Sequence, residues 1–256
     1  MIKNLFFCIL FSLSVVFAFA QKEKDSLYLK LNIKFGTIRL ELNKNNISKN
    51  HDTLQISLLK FYLSGIEIEY NNKTTFIQKN SYHLVDIENP NSLQIPICKK
   101  NDKTISKIKF NIGIDSTASV SGALAGDLDL QNGMYWAWQS GYINMKIEGK
   151  SSNCKTRKSE FQFHIGGYLQ PFYAVRRVEI PVNAFFTEGV SDVGKSPTSD
   201  ITNPTYTEGV ILKLDVSKFF ENIQIASQNS MMIPCKEAMQ LADYSTSMFS
   251  IYVPKN

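Results

Sequence analysis

A period of two runs through most of this chain. In "SLYLKLNIKF" the apolar residues Leu27, Leu29, Leu31, Ile33 and Phe35 alternate with Tyr28, Lys30, Asn32 and Lys34. Alternation of that kind puts one set of side chains on a buried face and the other on a wet one, which is a half-buried strand. Gly36 interrupts it, and Ile38, Leu40 and Leu42 resume it. Residues 43–52 are polar and turn-like. "LQISLLKFYLSGIEIEY" is rich in apolar residues over 54–70, and "NNK" turns the chain after it. "SYHLVDIENP" predicts a strand running into a turn at Asn89-Pro90, and "SKIKFNIGID" predicts another. "SVSGALAGDLDLQNG" is a Gly- and Asp-rich loop. Beyond it, Ile143, Met145 and Ile147 alternate with Asn144, Lys146 and Glu148. Phe161, Phe163 and Ile165 then alternate with Gln162 and His164. "RRVEIPVNAFF" and "EGVILKLDV" read as later strands, separated by a Pro- and Ser/Thr-bearing loop at 187–207.

Helical spacing is rare. Asp215, Val216 and Ser217 could cap a short turn at 218–222. Pro234 suits a first helical position, and Ala238, Leu241, Ala242, Ser245, Met248 and Phe249 follow at helical intervals. Many short strands with turn punctuation and one late amphipathic helix predict a mainly β fold. The expected form is an antiparallel β-sandwich or barrel-like domain with a short C-terminal helix.

The first twenty residues stand apart from this pattern. Lys3 precedes an apolar run over 5–17, and Ala18-Phe19-Ala20 is a small-x-small cleavage site. This reads as a secretory signal peptide over 1–20, leaving a single domain over 21–256 with no further membrane span. The alternative, a membrane anchor, meets a run shorter than the ~20 residues a span needs. The expected location is the periplasm or the extracellular space. The formal charge is +5, and removing Lys3 makes it +4. The basic residues are scattered and form no nucleic-acid footprint. Cys98, Cys154 and Cys235 remain after cleavage. In an oxidising compartment the natural arithmetic is one disulfide and one free thiol. A Cys98–Cys154 bridge would contribute about 4 kcal/mol in the chain-entropy picture; spacing does not choose among the three pairings.

Several motifs carry less than their pattern suggests. "GVSDVGKS" at 189–196 fits a phosphate-loop expression, but Pro197 and a non-helical stretch follow where a helix is required. No nucleophile elbow and no zinc-protease motif is present, so the chain reads as non-catalytic. Asp127 and Asp129 could hold a hard cation through oxygens, against the plainer reading of an Asp-rich turn.

The chemistry concentrates in "GMYWAWQSGYINMKIEG", which holds both tryptophans. If 134–142 is extended, Met134, Trp136 and Trp138 share one face, with Tyr135 and Ala137 on the other. An aromatic stripe of this kind packs a core as readily as it builds a site. His164 adds to the second reading, because its ring points away from the Phe161, Phe163 and Ile165 face. An imidazole near a thioether and indoles suits a soft metal. His83, in "YHLVD", is a second candidate ligand, and His51 reads as a solvated loop residue.

"MYWAWQSGYINMKIEG" resembles the signature of the MbnP-like family, copper-binding proteins of the methanobactin-operon type. "LKFYLSGIEI", "YHLVDIENP", "IKFNIGID", "FQFHIGGY" and "MMIPCKEAMQLADYSTSMFSI" extend the resemblance over about 27–251. It implies an exported, non-catalytic β-rich protein that handles copper. It also implies a di-haem peroxidase partner of the MauG type, which oxidises a tryptophan to kynurenine. On that resemblance Trp136 and Trp138 are candidates for modification, and His164, His83 and Met134 are candidate copper ligands. The competing expectation is a structural or interaction module that keeps the fold without metal.

Overall fold

The computed structural model describes residues 26–122, 124–138, 141–182 and 209–252. The expected signal peptide and the whole loop at 187–207, with the phosphate-loop pattern at 189–196 inside it, lie outside these residues. In chain order the first strands are β1 (Ser26–Phe35), β2 (Ile38–Arg39), β3 (Asn45–Ile47), β4 (Thr53–Tyr70), β5 (Thr75–Ile77) and β6 (Tyr82–Asp86). Then come β7 (Gln94–Lys99), β8 (Ile105–Ile112), helix α1 (Ser116–Val120), β9 (Tyr135–Trp136), β10 (Gly141–Ser151) and β11 (Glu160–Gly166). The last elements are β12 (Arg176–Pro181), β13 (Gly209–Asp215), α2 (Ser217–Phe220), β14 (Ser230–Met231), α3 (Lys236–Thr246) and β15 (Phe249–Ile251). The fold is mainly β, with curled sheets forming a half-barrel, as the alternation predicts. Among the described residues no helix is long and apolar enough to cross a membrane.

One sheet runs β15-β13-β1-β2, with β7 also on β1. The larger runs β12-β8-β4-β10-β11-β14, with β3, β5 and β6 on β4 and β9 on β10. Most pairings are antiparallel, but β1 with β13 and β11 with β14 are parallel. The β1–β13 pair joins strands from opposite ends of the chain, where no hairpin could impose the antiparallel sense.

β4 organises the larger sheet. Its residues Leu54, Ile56, Leu59, Phe61, Leu63, Ile66, Ile68 and Tyr70 all enter the main core. A strict alternation would lose that face twice. The phase is restored at two irregularities, one opposite Glu148/Gly149 and one between Ser64 and Glu67. At the second, Gly65 has φ +55, the left-handed value a bulge residue often requires. Inside, Phe161, Phe163, Phe219 and Phe220 form a ring cluster with mostly edge-on contacts, such as Phe219–Phe220 at 5.2 Å.

Local details depart from expectation at a few points. α3 starts at Lys236, and its cap is Cys235, whose sulfur accepts from the Ala238 amide; Pro234 lies one residue before the cap. α3 ends at Thr246, so Phe249 opens β15 instead of continuing the helix. Asp215 does serve the α2 turn, accepting from the Ser217 amide at 3.2 Å and from the Gly36 amide at 2.7 Å. The expected disulfide is absent, because all three thiols are free. Cys98 sits on β7 opposite Leu27. Cys154 lies in the β10–β11 turn and donates to the Glu160 carbonyl at 2.9 Å. Their places in the sequence say nothing about this separation.

The β4–β10 contact sets a test. A Cβ on Gly149 would come within 2.3 Å of the Gln55 carbonyl oxygen and 2.5 Å of the Phe161 ring. Gly149→Ala should lower stability in urea by about 1–3 kcal/mol, as overpacking in a sheet interior does. Ile47→Ala, at a side chain 61% exposed, should change it by less than about 0.5 kcal/mol. Equal effects of the two would contradict this packing.

Candidate functional site

The outer face of the larger sheet carries a second, smaller core. Tyr62, Ile114, Ala118, Leu128, Met134, Trp136, Tyr142 and Ile143 form it. A cover made of residues 113–122 and 124–133 lies over this face, fastened by tyrosine hydroxyls. Tyr62 donates to the Asp127 carbonyl at 3.0 Å, Tyr142 to the Leu128 carbonyl at 2.9 Å, and Tyr82 to the Asp115 carboxylate at 2.7 Å. Burial pushes the Tyr62 phenol well above its ordinary pKa, and the Tyr82 phenol up to about 12, with Asp115 adding to the second. Both therefore stay protonated as donors. Asp127 and Asp129 hold the cover's own backbone. Asp127 accepts from the Leu84 amide at 3.0 Å, and Asp129 accepts from the Gln131 amide at 2.8 Å. Those contacts give both carboxylates structural work in the turn.

The tryptophan segment is shorter as a strand than its pattern suggests. Only Tyr135 and Trp136 pair, with Tyr142 and Gly141. Ala137 and Trp138 belong to the turn of that hairpin. Met134 and Trp136 do face the same way and are buried, at 0% and 6% exposure, whereas Trp138 is 64% exposed. The two indoles remain together, with centroids 5.6 Å apart and planes tilted by 41°. Trp136 lies directly on Gly166. A Cβ there would come within 2.6 Å of the benzo ring, so only glycine permits this approach.

His164 is two residues before Gly166 on β11, and so faces the same side. Its strand partner is Lys146, and Lys146 is opposite Lys60 on β4, which is opposite Asp86 on β6. This row is polar on an otherwise apolar sheet. Lys60 pairs with Asp86 at 2.9 Å, and Glu148 lies 3.6 Å from Lys146. The His164 imidazole bonds Glu148 through Nε2 at 2.7 Å. Burial lowers the His164 pKa, and Lys146 adds to the lowering, while the bond to Glu148 opposes it. The ring is therefore neutral at neutral pH. Glu148 then accepts from Nε2–H, which leaves the Nδ1 lone pair available. An imidazole held by a carboxylate in this way is the usual arrangement behind a metal ligand.

The candidate ligands do not gather. His83 pairs with Leu63, a core residue, so it faces the inner side of the sheet. Its Nε2 lies 2.8 Å from Gln78 Oε1, and burial lowers its pKa. Three strand spacings of ~4.8 Å separate β6 from β11, about 14 Å laterally, so the sheet stands between His83 and His164. Met134 is enclosed by apolar neighbours. Among the described residues, no three His, Cys, Asp or Glu side chains are arranged to hold a metal ion. His83, His164 and Met134 thus do not fit a single centre. His164, Glu148 and the indole pair do share one outer face. His51 takes a left-handed turn conformation at φ +61 and is exposed, as its polar surroundings predict.

Two features here escaped the pattern of residues. Glu148 was visible only as the polar partner in an alternating strand, and Gly166 only as a strand end. The alternation on β10 and β11, once paired in register, would have placed Glu148 and His164 side by side.

The lowered His164 pKa has a measurable consequence. In the unfolded chain the ring protonates near its ordinary value of 6.5, while in the fold it resists protonation to lower pH. Stability should therefore be complete above that value and decline as pH falls below it. An NMR titration should place the His164 midpoint below 6.5, and Glu148→Gln should lower it further. A rise in the Glu148→Gln protein would contradict the assigned hydrogen bond.

Comparison with known proteins follows the same outline. No curated protein matches the sequence. A similar solved structure is MbnP from Methylosinus trichosporium, with a TM-score of 0.56 and 13% sequence identity, covering 88% of this chain and 97% of that one. At that identity the likeness is one of fold. The profile of the MbnP family matches residues 24–235, and the chain belongs to the MbnP family.

Proposed function

We propose that this protein is an exported, non-catalytic copper-binding protein whose site lies on the outer sheet face at His164 and the indole pair. The observation that carries this reading is the seating of Trp136 on Gly166, two residues from an imidazole whose Nε2 is already held by Glu148. Family membership supports the metal. His164 would offer Nδ1 as a neutral donor. Lys146 and Lys60 are each matched by a carboxylate, so the row presents no uncompensated positive charge to an arriving cation.

Indole itself is a weak partner for such a cation. Its nitrogen lone pair belongs to the ring π-system, and only the N–H is presented. Oxidative opening of the pyrrole ring by two equivalents of peroxide, each reduced to water, gives an N-formyl aniline and a ketone; hydrolysis then releases the ring carbon as formate and frees the aniline nitrogen, so that both groups can donate. In this reading a peroxide-using di-haem enzyme performs that step. Trp138, exposed, is the indole such an enzyme would reach; Trp136 is the one seated on Gly166, two residues along β11 from His164. When bound, copper would supply soft-metal storage or transfer.

Copper(I) binding in competition with a chromophoric chelator tests the assignment. His164→Ala should abolish the copper held at this face. His83→Ala should retain it, because that side chain lies on the other face of the sheet, and Met134→Leu should retain it, because apolar neighbours enclose the thioether. Equal binding by His164→Ala and the parent protein would overturn the site. Peptide mass analysis of protein from its native host should show the carbon-for-oxygen exchange at Trp136 or Trp138. Unaltered indoles with copper still bound would remove the modification from the proposal and leave His164 in it.

A further inference from the structure

The segment "SMMIPCKE" runs past the β11 edge of the larger sheet and brings two sulfurs together. β14 is the last strand there, with Met231 opposite Phe163. Four residues on, Cys235 caps α3. The Cys235 thiol lies 3.3 Å from the Met231 thioether sulfur. Both residues are half-buried, so they are neither sealed in the core nor free in solvent. The segment is fixed at its middle, since Pro234 would lie 3.2 Å from a Cβ on Gly167. The surrounding charges are mixed. The Glu237 carboxylate interacts with the thiol, the Ala238 amide donates to the same sulfur at 3.4 Å, and Lys236 acts on Glu237.

We infer that Cys235 and Met231 form a second soft-metal site, one for a monovalent d10 cation such as Cu(I) or Ag(I), separate from His164. The chemistry is that of the donors. A thiol and a thioether are soft ligands, ill suited to magnesium or calcium and well suited to Cu(I). They come from two different elements, a strand and a helix cap, so folding itself brings them together. Binding replaces the thiol proton with the metal: one S–H bond is lost, one metal–sulfur bond forms, and the proton leaves to solvent. No oxidation state changes. A metal–sulfur bond of about 2.3 Å would span the present gap only at a near-right angle. The unbranched Met231 side chain can swing outward to widen that angle, and the Glu237 carboxylate offsets the cation's charge. Met231 packs with the inner core, whereas His164 faces outward, so one ion could not satisfy both positions.

Silver(I) is the probe, because it has the same electron count and does not cycle in air. The purified protein is titrated with Ag(I), then treated with N-ethylmaleimide, and the labelled cysteines are located by peptide mass. Cys235 should be protected by the first equivalent in the parent protein. Met231→Leu, which conserves volume, should weaken that protection by about tenfold or more while leaving Cys98 labelling as it was. Cys235→Ser and Cys235→Ala should each lose one bound equivalent. His164→Ala should leave Cys235 protection intact. Protection in Met231→Leu equal to that of the parent would reduce the site to a bare thiol and overturn the proposal. So would a Cys235 that stays reactive at stoichiometric silver. Loss of Cys235 protection in His164→Ala would overturn the separation of the two sites. Copper binding that depends on His164 can fail without touching any of these readings.

Discussion

Strand β4 has to keep its apolar side chains on one face for 18 residues while bending around a half-barrel. A pleated strand gives side chains to alternate faces without exception, so a strand this long and curved drifts out of phase with its core. Two bulges reset it, and each reset also re-aims the neighbouring strands. Which face every later residue occupies follows from that phase. Asp86, Leu84 and Tyr82 inherit the outer side from Lys60, Tyr62 and Ser64; Val85 and His83 inherit the inner side from Phe61 and Leu63. A single-residue slip would carry His83 outward and bury Asp86 among phenylalanines.

The outer face solves a different problem. A sheet that is apolar on both sides needs a cover on both sides, and here the second cover is mostly loop, with the short α1 as its α-helix. A loop has backbone groups that must be paired when buried. Tyrosine is suited to this because its ring fills the apolar layer while its hydroxyl reaches through to a carbonyl. Tyr62 and Tyr142 work in this way and also pack edge-on at 5.9 Å, while the Tyr82 hydroxyl reaches the Asp115 carboxylate. The tryptophan hairpin closes the cover at its β11 end, where glycine lets the Trp136 ring approach the strand closely. That end is also where the apolar layer gives way to the row of Lys60, Lys146, Glu148 and His164. A buried imidazole next to a dry aromatic layer and a charged row is in a mixed environment, which explains opposing influences on its proton affinity.

Much of this was legible in the sequence, for reasons specific to each segment. The alternation at 161–165 was enough to put His164 opposite the phenylalanines, because β11 has no bulge within those residues. The mainly β architecture followed from many such short alternations. β7 was missed because Pro96 sits in its centre and marks the stretch as non-strand; the structure tolerates it at the sheet's margin, opposite Tyr28. The helical reading of Phe249 failed because spacing alone does not say where a helix stops, and the chain pairs with β13 as soon as it can. Cysteine counting failed because it carries no positions. The extended reading of 134–142 failed at Trp138, where a tight hairpin competes with continued strand and wins. The separation of His83 from His164 could not be read at all without knowing that three strand spacings lie between their strands.

That separation limits what one metal centre can be in this fold. A β-sheet insulates its faces from each other, so donors of opposite phase cannot share a first coordination sphere unless they meet around an edge. Asp127 reaches the open edge of β6 to cap the Leu84 amide, which closes that route between His83 and the outer face with a carboxylate already engaged. The β11 edge is the other route, and it ends at β14, where the sulfurs of Met231 and Cys235 meet. Soft donors therefore lie at the rim of the sheet and on its outer face, with apolar side chains filling the space between. Such a distribution suits separate sites of low coordination number better than a single closed cage.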